Sequence, residues 1–370
     1  MTTLADYRDE RLRKLEEIRA RGIDPYPAKS HRNTKISTIL NHFDEKDGQE
    51  VVVAGRIMAI RSFGKLAFVK IRDYTGEVQI FMEKTDQVED GHFSVKELKL
   101  LDTGDFIEAA GRVGKSSTGE ISVFSNQVRL LTKSLRPLPG HDGFKNKEER
   151  YRRRYVDMNV NPEVRERLVR RSKFWQATRN FMNSKGFIEV NTPVLELTTG
   201  GADATPFTTH MDALDIDYYL RISQELPLKR LLGGGFEKVY DIGPRFRNEG
   251  VDDEHLPEHI AFESYAAYEN YEDGMALYEE MIKYVAKETW GTLQFHVGDF
   301  DIDLDCEWPR IKYADLLMEK FGIDVFSLNR QKALSILKEN GVQIDPSVAD
   351  GRLIDNLWKL IRKTSAGPYL

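Results

Sequence analysis

A single cysteine, Cys306, occurs in 370 residues. No internal disulfide can form, which fits a reducing compartment, and without a Cys/His cluster no zinc site is expected. No apolar run reaches the roughly 18 residues that cross a bilayer, and the opening residues carry no apolar signal core. The expectation is a cytoplasmic protein with no membrane part. The glycine triplet Gly233–Gly235 continues into Phe-Glu-Lys, not into the Gly or Lys-Ser/Thr of a phosphate loop, so it reads as a helix end. Positive charge is also short overall: the formal net charge is −6, with 31% charged residues.

That charge is unevenly spread. Residues 1–70 hold 14 Lys/Arg against 10 Asp/Glu, residues 145–173 hold 11 against 5, and residues 249–307 hold 2 against 17. A polyanion can be held by the N-terminal third and the junction while the acidic lobe faces away; solvated faces are the plainer reading for much of 249–307.

The length exceeds one ordinary core, so two domains are expected. Residues 3–21 carry Leu4, Tyr7, Leu12, Leu15 and Ile18 at helical spacing, closed by Gly22 and Asp24-Pro25. The bases of this helix (Arg8, Arg11, Arg13, Lys14, Arg19 and Arg21) either face a phosphate backbone or pair with Glu along the helix. Residues 51–61, 65–73, 77–83, 106–113 and 121–131 read as strands rich in Val, Ile and Phe and punctuated by glycine. Five short strands with an insertion after the third fit an OB-fold barrel, whose strand 2–3 face binds single-stranded nucleic acid. A Pro/Gly-rich linker leads to a basic cluster at 149–155, a helix over 162–185 with Asn161 as N-cap, and a strand at 187–190.

The stretch 241–271 organises the rest. It reads as a strand at 238–242, a charged loop at 250–258 and a second strand. Arg247 and Glu249 share one face, as do Glu263 and Tyr265. One fixed guanidinium beside several carboxylates can floor a pocket for a phosphate or carboxylate together with an amine. A plain amphipathic hairpin with a surface salt bridge is the competing reading. Further helices are expected at 272–289, 313–321, 330–339 and 351–363.

The hairpin resembles motif 2 of the class II aminoacyl-tRNA synthetases. Six phrases, the last within the hairpin itself, extend the likeness to the lysyl-type synthetases, from Arg11 to about Gly367: Gly22-Ile-Asp-Pro-Tyr-Pro, Val53-Ala-Gly-Arg-Ile-Met, Arg150-Tyr-Arg-Arg-Arg-Tyr-Val-Asp, Asn161-Pro-Glu-Val-Arg, Gly186-Phe-Ile-Glu-Val-Asn-Thr-Pro and Phe246-Arg-Asn-Glu-Gly. The resemblance implies an α+β chain: an N-terminal helix and lead-in (1–48), an OB-fold anticodon-binding barrel (49–132), a linker (133–150) and a class II antiparallel-sheet catalytic domain with flanking helices (151–370). It implies a ligase that activates lysine with ATP and Mg²⁺ and transfers it to tRNA, acting as a homodimer through 162–185 and 187–190.

Residue by residue, the resemblance implies Arg247 as the catalytic group. Gly201, Glu225, Arg247, Glu263 and Tyr265 would bind lysine. Arg247, Glu249, His255 and His259 would bind ATP. Arg61, Phe68, Gln79 and Glu120 would bind the anticodon, with Phe68 stacking on a base; for Phe68 alone, barrel core is the competing reading. Metal ligands are expected beyond Leu370, because the family's motif 3 is not found, as in a truncated chain or a natural short relative. The chain also departs from the family where Thr205 and Glu254 replace Arg, Leu256 replaces Asn, His259 replaces Phe, and Ser223-Gln224 replaces Ala-Pro. An aspartyl- or asparaginyl-type enzyme and a non-catalytic tRNA-binding relative are the rival readings. An enzyme that lysylates a protein is disfavoured by the OB domain.

Overall fold

The computed structural model describes residues 3–85, 87–140, 144–251, 255–362, 364 and 367–370, and the chain divides into two compact units, Met1–Arg165 and Glu166–Leu370. The first opens with α1 (Leu4–Ala20), where Thr3 and Asp6 form a reciprocal capping box. The short helices α2 (Ile36–Asn41) and α3 (Phe43–Lys46) follow. Then come β1 (Glu50–Phe63), β2 (Leu66–Arg72), β3 (Glu77–Glu83), β4 (His92–Phe93), β5 (Phe106–Lys115), β6 (Ile121–Phe124) and β7 (Val128–Thr132).

The ring β1-β2-β3-β6-β5 closes because β1 pairs with β2 along its second half and with β5 along its first. A register shift between Ile57 and Ala59 accompanies this change of partner. Gly55 is required nearby, since a Cβ there would lie 2.7 Å from the Arg72 carbonyl oxygen. The strand expected over 121–131 is broken into β6 and β7: the Ser125 hydroxyl bonds to the Gln127 carbonyl at 2.6 Å, and the two pieces pair with different stretches of β5.

Two of the bases read on this helix, Arg11 and Lys14, turn toward the barrel. Arg11 is 5% exposed and donates to the carbonyls of Thr103 and Ser134, both at 2.9 Å. Lys14 pairs with Asp102 at 2.8 Å. On the surface, Arg13 and Arg21 pair with Glu10, Glu17 and Glu97, and Arg8 and Arg19 are also exposed. A helix that covers the barrel must satisfy its inward bases with barrel acceptors, which removes them from any phosphate site.

The basic cluster is helical, in α4 (Lys147–Arg152) and α5 (Arg154–Val160). Buried Asp157 collects Arg150 Nε at 2.8 Å, Arg154 Nη1 at 3.1 Å and Asn161 Nδ2 at 2.7 Å. These contacts spend two of the cluster's arginines inside the unit and draw the Asn161 amide to Asp157.

α6 (Pro162–Ser184) leads into the second unit, with β8 (Ile188–Glu189), β9 (Leu195–Glu196), β10 (Thr208–Met211), β11 (Ile216–Leu220), α7 (Glu225–Gly233), β12 (Lys238–Phe246) and β13 (Glu258–Ala266). Beyond them lie α8 (Tyr271–Trp290), the hairpin β14 (Gln294–Val297) and β15 (Phe300–Asp303), and α9 (Tyr313–Phe321), α10 (Arg330–Glu339) and α11 (Asp350–Arg362). The last three helices share a core of Leu317, Ala333, Leu337, Leu353 and Leu357.

The central sheet is β13-β12-β8, with β12 and β13 antiparallel and β8 parallel to β12. Tyr240, Ile242 and Phe262 on one face pack with Phe181, Met281 and Val285 of α6 and α8. The other face is polar.

β12 runs four residues past the expected end at 242, through Gly243-Pro244. The Pro244 carbonyl accepts from Arg221 on the edge away from β13, so the missing proline N–H costs no ladder bond. Arg221 is 2% exposed. Its guanidinium also donates to the Thr192 hydroxyl at 2.6 Å and to Asp241 at 3.0 Å. A Cβ on Gly243 would lie 2.1 Å from Arg221 Nη2, which these bonds hold in place.

Gly243→Ala should therefore destabilise the second unit by about 3 kcal/mol through overpacking against a buried ion pair. All four tryptophans, Trp175, Trp290, Trp308 and Trp358, lie in that unit, so their fluorescence in urea reads the loss. An unchanged midpoint would refute the tight fit.

Candidate active site and nucleic-acid face

The register of β12 on β13 sets Asp241 opposite Glu263, Gly243 opposite Ala261 and Arg245 opposite His259 on the polar face. Arg247 follows just past the strand, its N–H donating to the Pro257 carbonyl at 2.9 Å. Its Nε is buried with no acceptor. Arg245 Nε is likewise buried without an acceptor, while Arg245 Nη2 lies 3.3 Å from Glu263 Oε1.

The residues expected at the amino acid come together. The Ser223 hydroxyl donates to Glu263 at 2.9 Å. Gly201 has φ +80°, and a Cβ there would stand 2.9 Å from the Ser223 hydroxyl and 2.7 Å from Glu225 Cβ, so only glycine fits this approach. Glu225 opens α7, and the Tyr265 hydroxyl donates to it. Burial pushes the Tyr265 hydroxyl well above its ordinary pKa, and the Glu225 and Glu263 carboxylates add to the effect. Lys229 Nζ binds Glu225 at 2.6 Å and holds its carboxyl below the usual range; burial opposes this and the Tyr265 hydroxyl supports it. An incoming ammonium would have to share Glu225 with Lys229.

The residues expected at the nucleotide also converge. Arg247, Glu249, His255 and His259 line one cleft of about 280 Å³ with Gly250 and Leu256. The His259 imidazole is held below its ordinary pKa by burial first, then by Arg245 and Arg247, so the ring is neutral at pH 7 and presents an uncharged face. Glu254 lies outside the described residues.

Three departures from the family pattern acquire local roles. The Thr205 N–H donates to Glu249 at 3.4 Å and the Thr205 carbonyl accepts from Asn248 N–H at 2.8 Å, tying the glycine loop to the hairpin loop. Ser223 orients Glu263. Gln224, fully buried, donates its amide to the carbonyls of Gly243 and Ala261 at 3.2 and 3.4 Å, clasping the hairpin from α7. Arg221, Arg245 and Lys229 were missed by sequence reasoning. The two-residue spacing of Arg245 and Arg247 on a strand was the available signal for Arg245; Arg221 and Lys229 gave none without the packing.

In the first unit, Phe68 is not barrel core. Ala67, Val69 and Ile71 fill the interior against Val78, Ile80 and Met82, and the alternation turns Phe68 and Phe81 outward. Ring contacts run Phe63–Phe68–Phe81–Phe124 at 6.2, 5.2 and 5.1 Å. Arg61 is the register partner of Phe68 and is exposed. Gln79 Nε2 donates to the Ser122 hydroxyl at 3.0 Å, and that hydroxyl donates to the Glu120 carbonyl at 3.0 Å. The Gln79 amide is thus fixed beside the exposed Glu120 turn.

Among the described residues, no three His, Cys, Asp or Glu side chains come together to hold a metal, and no helix is long and apolar enough to cross a membrane.

A guanidinium-floored hairpin beside a carboxylate pocket, with an OB barrel in the same chain, defines a class II synthetase. The family described as tRNA synthetases class II (D, K and N) matches residues 146–344, and the OB-fold nucleic acid binding domain matches 51–131. The lysine–tRNA ligase of Thermosipho africanus is 40% identical over 373 residues, covering 99% of this chain and 74% of that protein. Those of Fervidobacterium nodosum and Dehalococcoides mccartyi are 42% and 43% identical, covering 97% and 94% of this chain and 70% and 71% of theirs. The chain belongs to the lysine–tRNA ligase family.

By NMR, the His259 ring should titrate below 6.5, its ordinary value, and Arg247→Ala should move it upward by removing one repelling charge. A midpoint at or above 6.5, or one that ignores the substitution, would contradict this electrostatic reading.

Proposed function

We propose that this chain activates lysine with ATP and passes the lysyl group to tRNA, with the residues of the β12–β13 face in the roles the family suggests. The observation that carries the reading is the single polar face on which a carboxylate pocket for amines and a cationic cleft for a nucleotide adjoin. Glu225 takes the α-ammonium, and Glu263 and Tyr265 line the path of the side chain. Gly201 lets the substrate backbone approach. Arg247 holds the lysine carboxylate and the α-phosphate. Glu249 accepts from the adenine amino group, His259 stacks on the ring, and His255 faces the phosphates.

The lysine carboxylate oxygen attacks the α-phosphorus, the bond to the β-phosphate oxygen breaks, and pyrophosphate leaves with the electron pair. The attacking carboxylate is already ionised, so no side chain must move a proton. Positioning and charge complementarity from fixed donors carry the step. A terminal ribose hydroxyl of tRNA then displaces AMP from the lysyl carbonyl. ATP is the substrate of the family's enzymes, and magnesium bound with it would neutralise part of the phosphate charge.

The outward aromatic ladder supports an anticodon role for the barrel. Phe68 stacks on a base. Gln79, its amide nitrogen spent on Ser122, keeps its carbonyl oxygen for an N–H on the base edge. Arg61 supplies donors beside it, and Glu120 bounds the site. Exposed Leu168, Val169 and Ile188 support pairing of two copies through 162–185 and 187–190.

Lysine, and neither aspartate nor asparagine, should drive ATP–pyrophosphate exchange, and the chain should bind lysinol adenylate. Arg247→Ala should lower both by roughly 10²–10³-fold with the urea midpoint retained. Preference for an aspartyl analogue, or binding of neither, overturns the assignment. Separately, Phe68→Ala should weaken binding of a lysine-tRNA anticodon stem-loop by roughly 1–3 kcal/mol without changing lysinol adenylate affinity. Unchanged stem-loop affinity removes the stacking role.

A further inference from the structure

The polar face holds guanidinium donors that its own acceptors do not meet. Arg221 is spent on Asp241, Thr192 and the Pro244 carbonyl. Arg245 makes one contact with Glu263 at 3.3 Å and buries Nε without an acceptor. Arg247 also buries Nε without an acceptor. Arg245 and Arg247 are two residues apart along an extended chain, so their guanidiniums leave the same face about 7 Å apart. Burial lowers the Arg245 pKa; Glu263 opposes this, and the nearby Arg247 and Arg221 add to it. Desolvated N–H donors and clustered like charges are both relieved by one event, the arrival of an anion.

The position of Arg245 says which anion. Across the ladder it faces His259, which lines the nucleotide cleft. Diagonally it touches Glu263, which Ser223 fixes in the carboxylate pocket. Arg245 therefore stands between His259 of the nucleotide cleft and Glu263 of the carboxylate pocket.

We propose that Arg245 is a positioning residue for adenylate formation, dividing its guanidinium between the Glu263 carboxylate and an oxygen of the reacting α-phosphate. One planar fork then fixes the amine-binding carboxylate and the phosphate relative to each other. When the lysine oxygen bonds to phosphorus and pyrophosphate departs, the phosphate oxygens gain charge beside a donor already in place. Arg245 exchanges no proton. Its second role is to hold the Glu263 carboxylate in place beside the incoming ammonium.

This inference rests on the lysine–ATP reading above, and calorimetry on the intact chain separates the two. Wild-type protein should bind lysinol adenylate, which keeps the phosphate, and lysine alone. Arg245→Met should weaken lysinol adenylate by roughly ten- to a hundredfold, the value of one charged hydrogen bond, and lysine by a clearly smaller factor. Arg245→Lys should recover part of the loss, retaining charge but not the fork. If lysine and lysinol adenylate lose affinity by the same factor, Arg245 acts only through Glu263 and the phosphate role is overturned. If neither changes, both roles fall while the functional reading stands. If the wild type binds no lysinol adenylate, the functional reading fails and this inference with it. Arg245→Met with Glu263→Gln removes the ion pair from both sides; a loss of phosphate-analogue affinity that persists against Glu263→Gln alone confirms the direct contact.

Discussion

The buried Arg221–Asp241 pair is the constraint on which the second unit turns. Each partner is 2% exposed, and such a pair is tolerated only when every donor and acceptor is matched. Here the matching atoms come from separate segments: Thr192 after β8, Asp241 and Pro244 on β12, and Arg221 itself after β11. The Arg221 backbone joins in as well, taking the Phe246 N–H at 3.0 Å and giving its own to Val194 at 2.9 Å. One side chain thus fixes the edge of the hairpin, and the glycine at 243 is the room it needs. Arg245 and Arg247 project from the strand so fixed, and the direction of both follows from it.

The polar face of the hairpin shows how an acidic protein can present cationic groups. Residues 249–307 carry 17 acids against 2 bases, yet the floor between Glu263 and the nucleotide cleft is governed by arginines with unmet donors. Net charge describes the long-range field, whereas a ligand meets the few desolvated groups whose interactions water does not screen. Carboxylates at one end of the face and guanidiniums at the other suit a substrate with an ammonium on one side and a reacting anion on the other. The barrel separates its tasks by parity instead: alternate residues of β2 and β3 build the core and the outer aromatic surface, so each can be specified independently.

Part of this was legible without coordinates. Strand parity places Glu263 with Tyr265; Arg247 and Glu249 line one cleft although they lie past the end of β12; and the barrel strands follow from β-branched runs broken by glycine. The run 121–131 defeated that reading because its apolar residues continue across the break that Ser125 makes by bonding to Gln127. The strand at 238–246 defeated it because Gly-Pro is a stop signal, and its harmlessness depends on which edge the proline faces. The α1 bases looked like a phosphate-binding row, but a periodic pattern does not say whether an arginine will find carbonyls beneath it.

The sequence by itself determined the order of the elements, the alternation of faces and the family to which the chain belongs, because these depend on local periodicity and on motifs whose residues are neighbours in the chain. Only the tertiary structure decided which charges are spent and which remain to act. Arg221 and Arg245 are the same residue type 24 positions apart, yet one gives its Nε and Nη1 to acceptors in the core and the other keeps a buried Nε without one. That distinction rests on acceptors supplied by distant segments, and partners so far apart in sequence become partners only when the chain has folded.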